Sequence, residues 1–125
     1  MEEKAHEVEF LSRKGTYSHA VEAGGLIFLS GMLPVDIEKN IHITDDISWA
    51  TELCLSNIKR LLEHTGSDMG KVVKVTVFLT DMANFDAMNR VYKTFFPHSP
   101  PARTCVAVKG LPGGFPIEIE AIAVK

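Results

Sequence analysis

The sequence KVVKVTVFLT at residues 71–80 is followed by ANFDAMNRVYKTFF at 83–96 and by PARTCVAV at 101–108. The first and third stretches are short, apolar and rich in β-branched residues, which predicts two strands. In the middle stretch the apolar side chains recur every three or four residues, which predicts a helix that begins after Asn84 and ends at Pro97. Strand, helix and strand in this order predict a right-handed crossover that lays the helix on one face of a sheet.

Further strands are predicted on both sides of this unit. GGLIFLSG at 24–31 is a short apolar run between glycines, which is typical of a strand buried on both faces. The preceding segment, 17–23, is predicted to be its hairpin partner. After the turn LPGGFP at 111–116, the sequence IEIEAIAV at 117–124 predicts a last strand.

A second helix is predicted between these strands. From Ile47 to Leu62 the apolar residues again recur every three or four positions, with Thr44 or Asp45 as the N-cap and Gly66 as the left-handed residue that closes the helix. The order is two strands, helix, strand, helix and two strands. It predicts one α+β domain over residues 1–125, with a mixed sheet and both helices on one face.

The strands carry more apolar surface than two helices can cover. In the strand at 71–80, Val73, Val75, Val77 and Leu79 are expected on one face, opposite Val72 and Phe78. The strand at 24–31 is likewise apolar on both faces. We therefore expect the uncovered face to be buried by other copies of the chain in a homo-oligomer, whose symmetry this pattern does not fix.

Composition excludes several classes of partner. The chain has 125 residues, 46% of them hydrophobic, and a net charge of −3, with a pI near 5.9. Without a basic stripe, no nucleic-acid or membrane partner is expected. The acidic N-terminus has no apolar stretch, so we expect a cytoplasmic protein. Cys54 and Cys105 have no metal-ligand spacing and are expected to be reduced thiols.

Charged residues at strand spacing indicate a site. Arg103 and Cys105 share one face of their strand, and an arginine on a largely buried face needs an anion. Glu118 and Glu120 share one face of the last strand. If that strand pairs with the preceding one through the LPGGFP turn, a carboxylate comes near Arg103. Two interpretations follow: a structural ion pair, or an anion pocket in which the guanidinium binds a carboxylate with its planar fork of donors.

Four stretches resemble the Rid/YjgF family of reactive-intermediate deaminases. They are GTYSHAV at 15–21, GLIFLSGMLPVD at 25–36, KVTVFLTDMANFDAMNRVYKTFF at 74–96 and PARTCVAVKGLPGGFPIEIEAIAV at 101–124. The resemblance implies a chorismate-mutase-like domain that assembles as a homotrimer with ligand clefts between subunits. It also implies hydrolysis of enamines and imines such as 2-aminoacrylate to 2-oxo acids and ammonia, without a metal or organic cofactor.

The resemblance also implies roles for individual residues. Arg103 matches the arginine that binds the substrate carboxylate, and Glu118 matches the glutamate that positions or activates water. Cys105 is the third residue implied for the catalytic set, and its expected role is to shape the pocket. It is not expected to be a nucleophile, because no histidine lies near it in sequence. The substrate-binding positions implied are Arg103, Cys105, Tyr17, Ser30, Gly31 and Asn89.

Two residues depart from the family pattern, and two other functions stay open. Thr16 stands where the family commonly has a proline and His19 where it has a glutamine, which puts the position of Tyr17 in question. His19, His42, His64 and His98 share no ligand-like spacing and are expected to be surface or structural residues, as is Trp49 on the first helix. A non-catalytic protein that binds a small carboxylate would need the same arginine. A ribonuclease or translation inhibitor is disfavoured by the acidic pI.

Overall fold

The computed structural model describes residues 2–125 and contains a six-stranded mixed sheet and two helices. The strands are β1 (Glu3–His6), β2 (Ala20–Ala23), β3 (Leu26–Leu29), β4 (Val35–Asp36), β5 (Ile41–His42), β6 (Val72–Leu79), β7 (Ala102–Ala107) and β8 (Ile117–Val124). The helices are α1 (Ile47–Thr65) and α2 (Phe85–Phe95), and short 3-10 turns cover Met69–Lys71, Met82–Asn84 and Pro112–Gly114. The predicted α+β fold with two helices and a mixed sheet is confirmed.

The order of strands across the sheet is β1-β2-β3-β8-β6-β7. Strands β6 and β7 are parallel, whereas the other neighbouring pairs in this sheet are antiparallel. Strands β4 and β5 form a separate two-stranded sheet. The sequence pattern predicted neither this small hairpin nor β1, because β4 and β5 have two residues each and β1 is mostly exposed.

One face of the sheet forms the core with α1, and we call it the covered face. Val75, Val77, Ile117 and Ile119 on this face are fully buried. Side chains of α1 that pack with them, Leu55, Ile58, Leu61 and Leu62, are equally buried. Full burial of one such side chain contributes about 1.5–3 kcal/mol relative to exposure. The apolar alternation of β6 and β8 therefore fixes which face the helix packs on.

Local signals at the helix ends explain where α1 begins and ends. Asp46, rather than Thr44 or Asp45, is the N-cap, because its carboxylate accepts a hydrogen bond from the Trp49 amide at 3.0 Å. Gly66 closes the helix in the left-handed region with φ 89°, as predicted. The predicted cap was therefore wrong by one residue and the predicted end is confirmed.

The opposite face, which we call the open face, has a β-bulge at the start of β6. The register with β8 shifts between Val72 and Lys74, so Val72 is buried and Val73 is 44% exposed. The predicted assignment of Val73 to the same face as Val75 was wrong. One extra residue in a bulge reverses the alternation before it.

Strand β8 lies between β3 and β6, so β7 and β8 are not neighbours. The predicted pairing of the last two strands through the LPGGFP turn was wrong. That turn contains Gly113 and Gly114 with φ of 71° and 73°, and it carries the chain past β6 instead of closing a hairpin. A two-residue hairpin turn does occur at Gly24 and Gly25, both with positive φ, between β2 and β3.

Within the described residues 2–125, no helix covers the open face. Its apolar side chains include Phe28, Val106 and Val124, which are 40%, 38% and 43% exposed. Strand β3 is consequently buried on one face only, through Ile27 and Leu29. Within residues 2–125, no helix has the length and apolar character needed to cross a membrane.

Candidate functional site

Arg103 lies on β7 at the edge of the covered face and is held by α2. One guanidinium nitrogen donates to Oδ1 of Asn89 at 2.7 Å. The guanidinium carbon lies 4.6 Å from the ring centre of Tyr92 and 5.5 Å from that of Phe85. Phe85, Asn89 and Tyr92 are spaced by four and three residues, so they project from one side of α2. The helix therefore fixes the guanidinium by one hydrogen bond and two ring contacts.

No carboxylate pairs with Arg103 within residues 2–125. Glu118 lies opposite Phe78 and Arg103 opposite Val75, so the alternation of β6 puts the two charges on opposite faces of the sheet. The ion-pair interpretation of Arg103 is therefore wrong for the single chain. A half-buried guanidinium keeps donors available for an anion supplied from outside the chain.

Cys105 follows Arg103 on the same face of β7. Burial raises the pKa of its thiol, and the nearby charge of Arg103 opposes that shift only in part. The thiol therefore stays protonated at neutral pH, and a thiol is a poor nucleophile. Its side chain packs against the apolar core, which supports the expected role as part of a pocket wall. We call Asn89, Arg103 and Cys105 together the arginine half-site.

Glu118 projects from the open face of β8 beside the end of β3. A Cβ atom on Gly31 would lie 2.7 Å from the Glu118 carboxyl carbon and 2.9 Å from its Cγ. A larger residue at position 31 would require the Glu118 side chain to shift. Burial raises the pKa of the Glu118 carboxyl, and the charge of Glu120 raises it further. The group is therefore a better proton acceptor than an ordinary glutamate.

A small pocket lies beside Gly31, and we call it the Tyr17 pocket. The residues of its lining that matter here are Ser12, Tyr17, His19, Ser30, Gly31 and Asn57. Tyr17 is 41% exposed at its rim, and the Ser30 hydroxyl donates to the Ser18 carbonyl at 2.6 Å. Tyr17, Ser30, Gly31 and Glu118 thus lie on adjoining segments. We call these four residues the glutamate half-site.

His19 fastens the loop that carries Tyr17. Its Nδ1 accepts a hydrogen bond from the Val8 amide at 3.0 Å, and its Nε2 lies 3.1 Å from the Ser12 carbonyl. The Tyr17 ring contacts it edge to face, with 6.2 Å between ring centres. Arg13 adds a hydrogen bond from Nε to the Tyr17 carbonyl at 2.7 Å. The loop is therefore held at several points although Thr16 replaces a proline.

The structure thus gathers the seven predicted site residues into two groups instead of one. Sequence reasoning missed three residues that position them: Phe85, Tyr92 and His19. The helical spacing around Asn89 was a signal for the first two. The departure from the family glutamine pointed to position 19 but not to its hydrogen bonds, because the partners of His19 are backbone atoms of an N-terminal segment whose path the sequence does not indicate.

The other residues considered from the sequence are not part of either half-site. His42, His64, His98 and Trp49 are exposed. Cys54 is fully buried in the core. Across residues 2–125, no cluster of three or more histidine, cysteine or acidic side chains is arranged to hold a metal ion.

Comparison with known proteins identifies close similarity over the whole fold. A family model described as endoribonuclease L-PSP matches residues 9–125. A RutC family protein of Pyrococcus abyssi is 44% identical over 89% of this chain and 87% of that protein. The Arabidopsis thaliana protein named Reactive Intermediate Deaminase A, chloroplastic, is 39% identical over 87% of this chain and 58% of its own length. The crystal structure of E. coli TdcF with bound serine aligns with a TM-score of 0.91 and 36% identity over 98% of both chains.

Proposed function

The chain belongs to the endoribonuclease L-PSP family, which is the Rid/YjgF family, and from this we propose that it hydrolyses reactive enamines and imines such as 2-aminoacrylate. The products are a 2-oxo acid and ammonia. One relative is named Reactive Intermediate Deaminase A, and another, TdcF, has been crystallised with serine, a small amino acid with a carboxylate. The first name supports deamination as the reaction, and the bound serine supports a small carboxylate as the ligand class.

The observation that carries the proposal is the state of Arg103. Its guanidinium is held by Asn89 and Tyr92 but has no carboxylate partner within residues 2–125. Fixed, half-buried donors without a counter-ion favour a planar carboxylate that accepts two hydrogen bonds. A 2-amino or 2-imino acid places its reacting carbon next to that carboxylate. The arginine thus sets the position of the bond to be cleaved.

The complete site is proposed to lie between two copies of the chain. Arg103 and Glu118 are on opposite faces of one sheet, so a ligand on Arg103 does not meet Glu118 of the same chain. A cleft that joins the arginine half-site of one copy to the glutamate half-site of its neighbour brings both charges to one ligand. The exposed apolar side chains of the open face supply the contact surface. A homotrimer, the assembly that the family resemblance implies, provides three such clefts.

The proposed reaction uses this small set of groups. Protonation of 2-aminoacrylate at its β-carbon, with loss of one proton from nitrogen, gives the imine, in which the former enamine nitrogen is double-bonded to the α-carbon. Water then adds to that carbon, a proton moves from oxygen to nitrogen, and ammonia leaves as the carbonyl forms. Glu118, with its raised pKa, accepts the proton from water and returns it to nitrogen. Tyr17, Ser30 and Gly31 line the cleft, and Cys105 forms part of the opposite wall.

Two other functions are distinguishable from this one. A sensor that binds a small carboxylate without turnover would use the same Arg103, and the serine in TdcF is compatible with such a role. The description of the family model also mentions ribonuclease activity. A net charge of −3 gives no basic surface for an RNA backbone, so we do not favour that function here.

The test is a direct assay. 2-Aminoacrylate is generated in situ by a separate enzyme, and the formation of pyruvate and ammonia is followed with and without this protein. We expect faster formation of both products with the protein, in proportion to its concentration. Binding of pyruvate or 2-oxobutyrate without any acceleration would instead identify a carboxylate sensor. The cytoplasm remains the predicted compartment for this activity.

A further inference from the structure

His19 is buried and uses both ring nitrogens on backbone atoms of the N-terminal segment. The residue as a whole is 3% exposed. Nδ1 accepts from the Val8 amide, so that nitrogen carries no proton. Nε2 therefore carries the proton and donates it to the Ser12 carbonyl. The two hydrogen bonds fit the neutral imidazole in one tautomer and no other protonation state.

The two bonds connect the N-terminal segment to the Tyr17 loop. Val8 belongs to the apolar core cluster, so it anchors one end of the connection. Ser12 is at the other end, and its carbonyl also lies 3.4 Å from the Tyr17 hydroxyl. The His19 backbone amide bonds to His6 and its carbonyl accepts from the Ser30 amide. One residue thus ties β1, the loop and the end of β3 together beside the Tyr17 pocket.

The surroundings contain few charges that could compensate a positive imidazole. From its own loop, the titratable neighbour is Tyr17. On the N-terminal segment, Glu7 is paired with Arg13, and His6 is paired with Glu22. The α1 side chain in the pocket lining is Asn57, and β3 contributes Ser30 and Gly31. Glu118 lies against Gly31 of that lining.

We propose that His19 is a positioning residue that holds Tyr17 over the cleft only while its imidazole is neutral. An imidazolium carries an N–H on both nitrogens. After protonation, Nδ1 and the Val8 amide are therefore both donors, and no hydrogen bond can form between them. The Val8 contact then breaks, and the loop loses one of the bonds that hold it in place, the one to the apolar core. Ligand affinity falls as a result, because Tyr17 is one wall of the glutamate half-site. This last step rests on the proposed function, whereas the release of Val8 does not.

The structural step is tested on wild-type protein by amide hydrogen exchange. The protection factor of the Val8 amide is measured by NMR at pH values from about 7.5 down to about 5, the range in which histidine side chains titrate. We expect it to fall by at least about tenfold as the imidazole becomes protonated. The matched control is His19→Gln. Its amide both accepts and donates a hydrogen bond but does not titrate, and we expect a Val8 protection factor independent of pH.

The functional step is tested by calorimetric titration with 2-oxobutyrate at the same pH values. We expect the Kd to rise between about pH 7.5 and pH 5 by at least about fivefold more in the wild type than in His19→Gln. Protonation of Glu118 affects both proteins equally, so the comparison isolates His19. Constant Val8 protection in the wild type, or the same loss in both proteins, overturns the proposal. If Val8 is released as expected but the protein neither binds 2-oxobutyrate nor hydrolyses 2-aminoacrylate at any pH, the proposed function is wrong and the pH-dependent contact between His19 and Val8 is retained.

Discussion

Arg103 and Glu118 lie on opposite faces of one sheet, with β6 between their two strands. The two residues that the proposed reaction needs therefore cannot act on one ligand within one chain. Each of them nevertheless has the properties that its proposed role requires. Arg103 is held in position by Asn89 and aromatic rings, and Glu118, next to Gly31, has a raised pKa. This arrangement ties the proposed activity to assembly.

Assembly is expected to depend on the open face. Phe28→Glu places a charge in the middle of its apolar surface, so we expect dissociation to monomers at micromolar concentration in sedimentation velocity. The wild type should sediment near three times 13.8 kDa. Trp49→Glu is the control, because Trp49 is 46% exposed on α1, away from the open face. A wild-type protein that remains monomeric at micromolar concentration would contradict the proposed clefts.

Removal of the arginine should weaken binding and turnover together. We expect Arg103→Ala to cost about 2–5 kcal/mol in affinity for 2-oxobutyrate, the range typical for truncation of one member of a desolvated charged pair. Turnover of 2-aminoacrylate should fall with it. Arg90→Ala is the matched control, because Arg90 is an exposed arginine on the same helix as Asn89. If Arg103→Ala binds 2-oxobutyrate as well as the wild type, Arg103 is not the carboxylate anchor.

Removal of the glutamate should affect the reaction rather than binding. We expect Glu118→Gln to lower kcat by roughly 10²- to 10⁴-fold and to retain affinity for 2-oxobutyrate, since the glutamate acts on water and not on the carboxylate. In the wild type, kcat should fall as the pH decreases, and the midpoint of this fall should lie above the ordinary glutamate pKa of 4.5.

Removal of the neighbouring carboxylate, Glu120, should shift the pH dependence of kcat in a known direction. The charge of Glu120 contributes to the raised pKa of Glu118, so Glu120→Gln should lower that pKa. The acid limb of kcat should then move to lower pH while the maximal rate is retained. Full activity of Glu118→Gln would show that another group handles the proton.

The cysteine is expected to be dispensable for chemistry. Because its thiol is protonated at neutral pH, Cys105→Ser should retain turnover within about tenfold, a change of about 1.4 kcal/mol in the barrier. The 2-aminoacrylate assay on folded, assembled protein measures this. Loss of all turnover in such a preparation would make the thiol a participant in the reaction.

The pattern of apolar residues predicted the helices and most strands of the sheet, but it did not predict which strands are neighbours. It identified β6, α2, β7 and β8 and the side chains that share a face within one strand, Arg103 with Cys105 and Glu118 with Glu120, because side-chain periodicity is a local property. It did not place these two pairs on opposite faces of the sheet. It did not indicate that β8 enters the sheet between β3 and β6, since strand order depends on contacts between distant segments. The bulge at Val73 was missed for a related reason: one extra residue shifts the alternation without a marker in the sequence.

The same distinction applies to the candidate site. The family motifs supplied the list of residues. The helical spacing around Asn89 would also have been sufficient to suggest Phe85 and Tyr92 as supports for Arg103, although they were missed. The separation of the list into two half-sites required the strand order. The role of His19 required the path of residues 8–12, because its partners there are a backbone amide and a backbone carbonyl.

Subunit complementation tests the central claim most directly. Arg103→Ala and Glu118→Gln chains are unfolded, mixed in equal amounts and refolded together, and the activity of the mixture toward 2-aminoacrylate is compared with that of each variant refolded alone. If each cleft takes Arg103 from one copy and Glu118 from its neighbour, random assembly gives about one cleft in four with both residues intact. We therefore expect about a quarter of wild-type activity from two nearly inactive proteins. A mixture no more active than the two variants alone, in trimers shown to contain both chains, would contradict a site shared between copies.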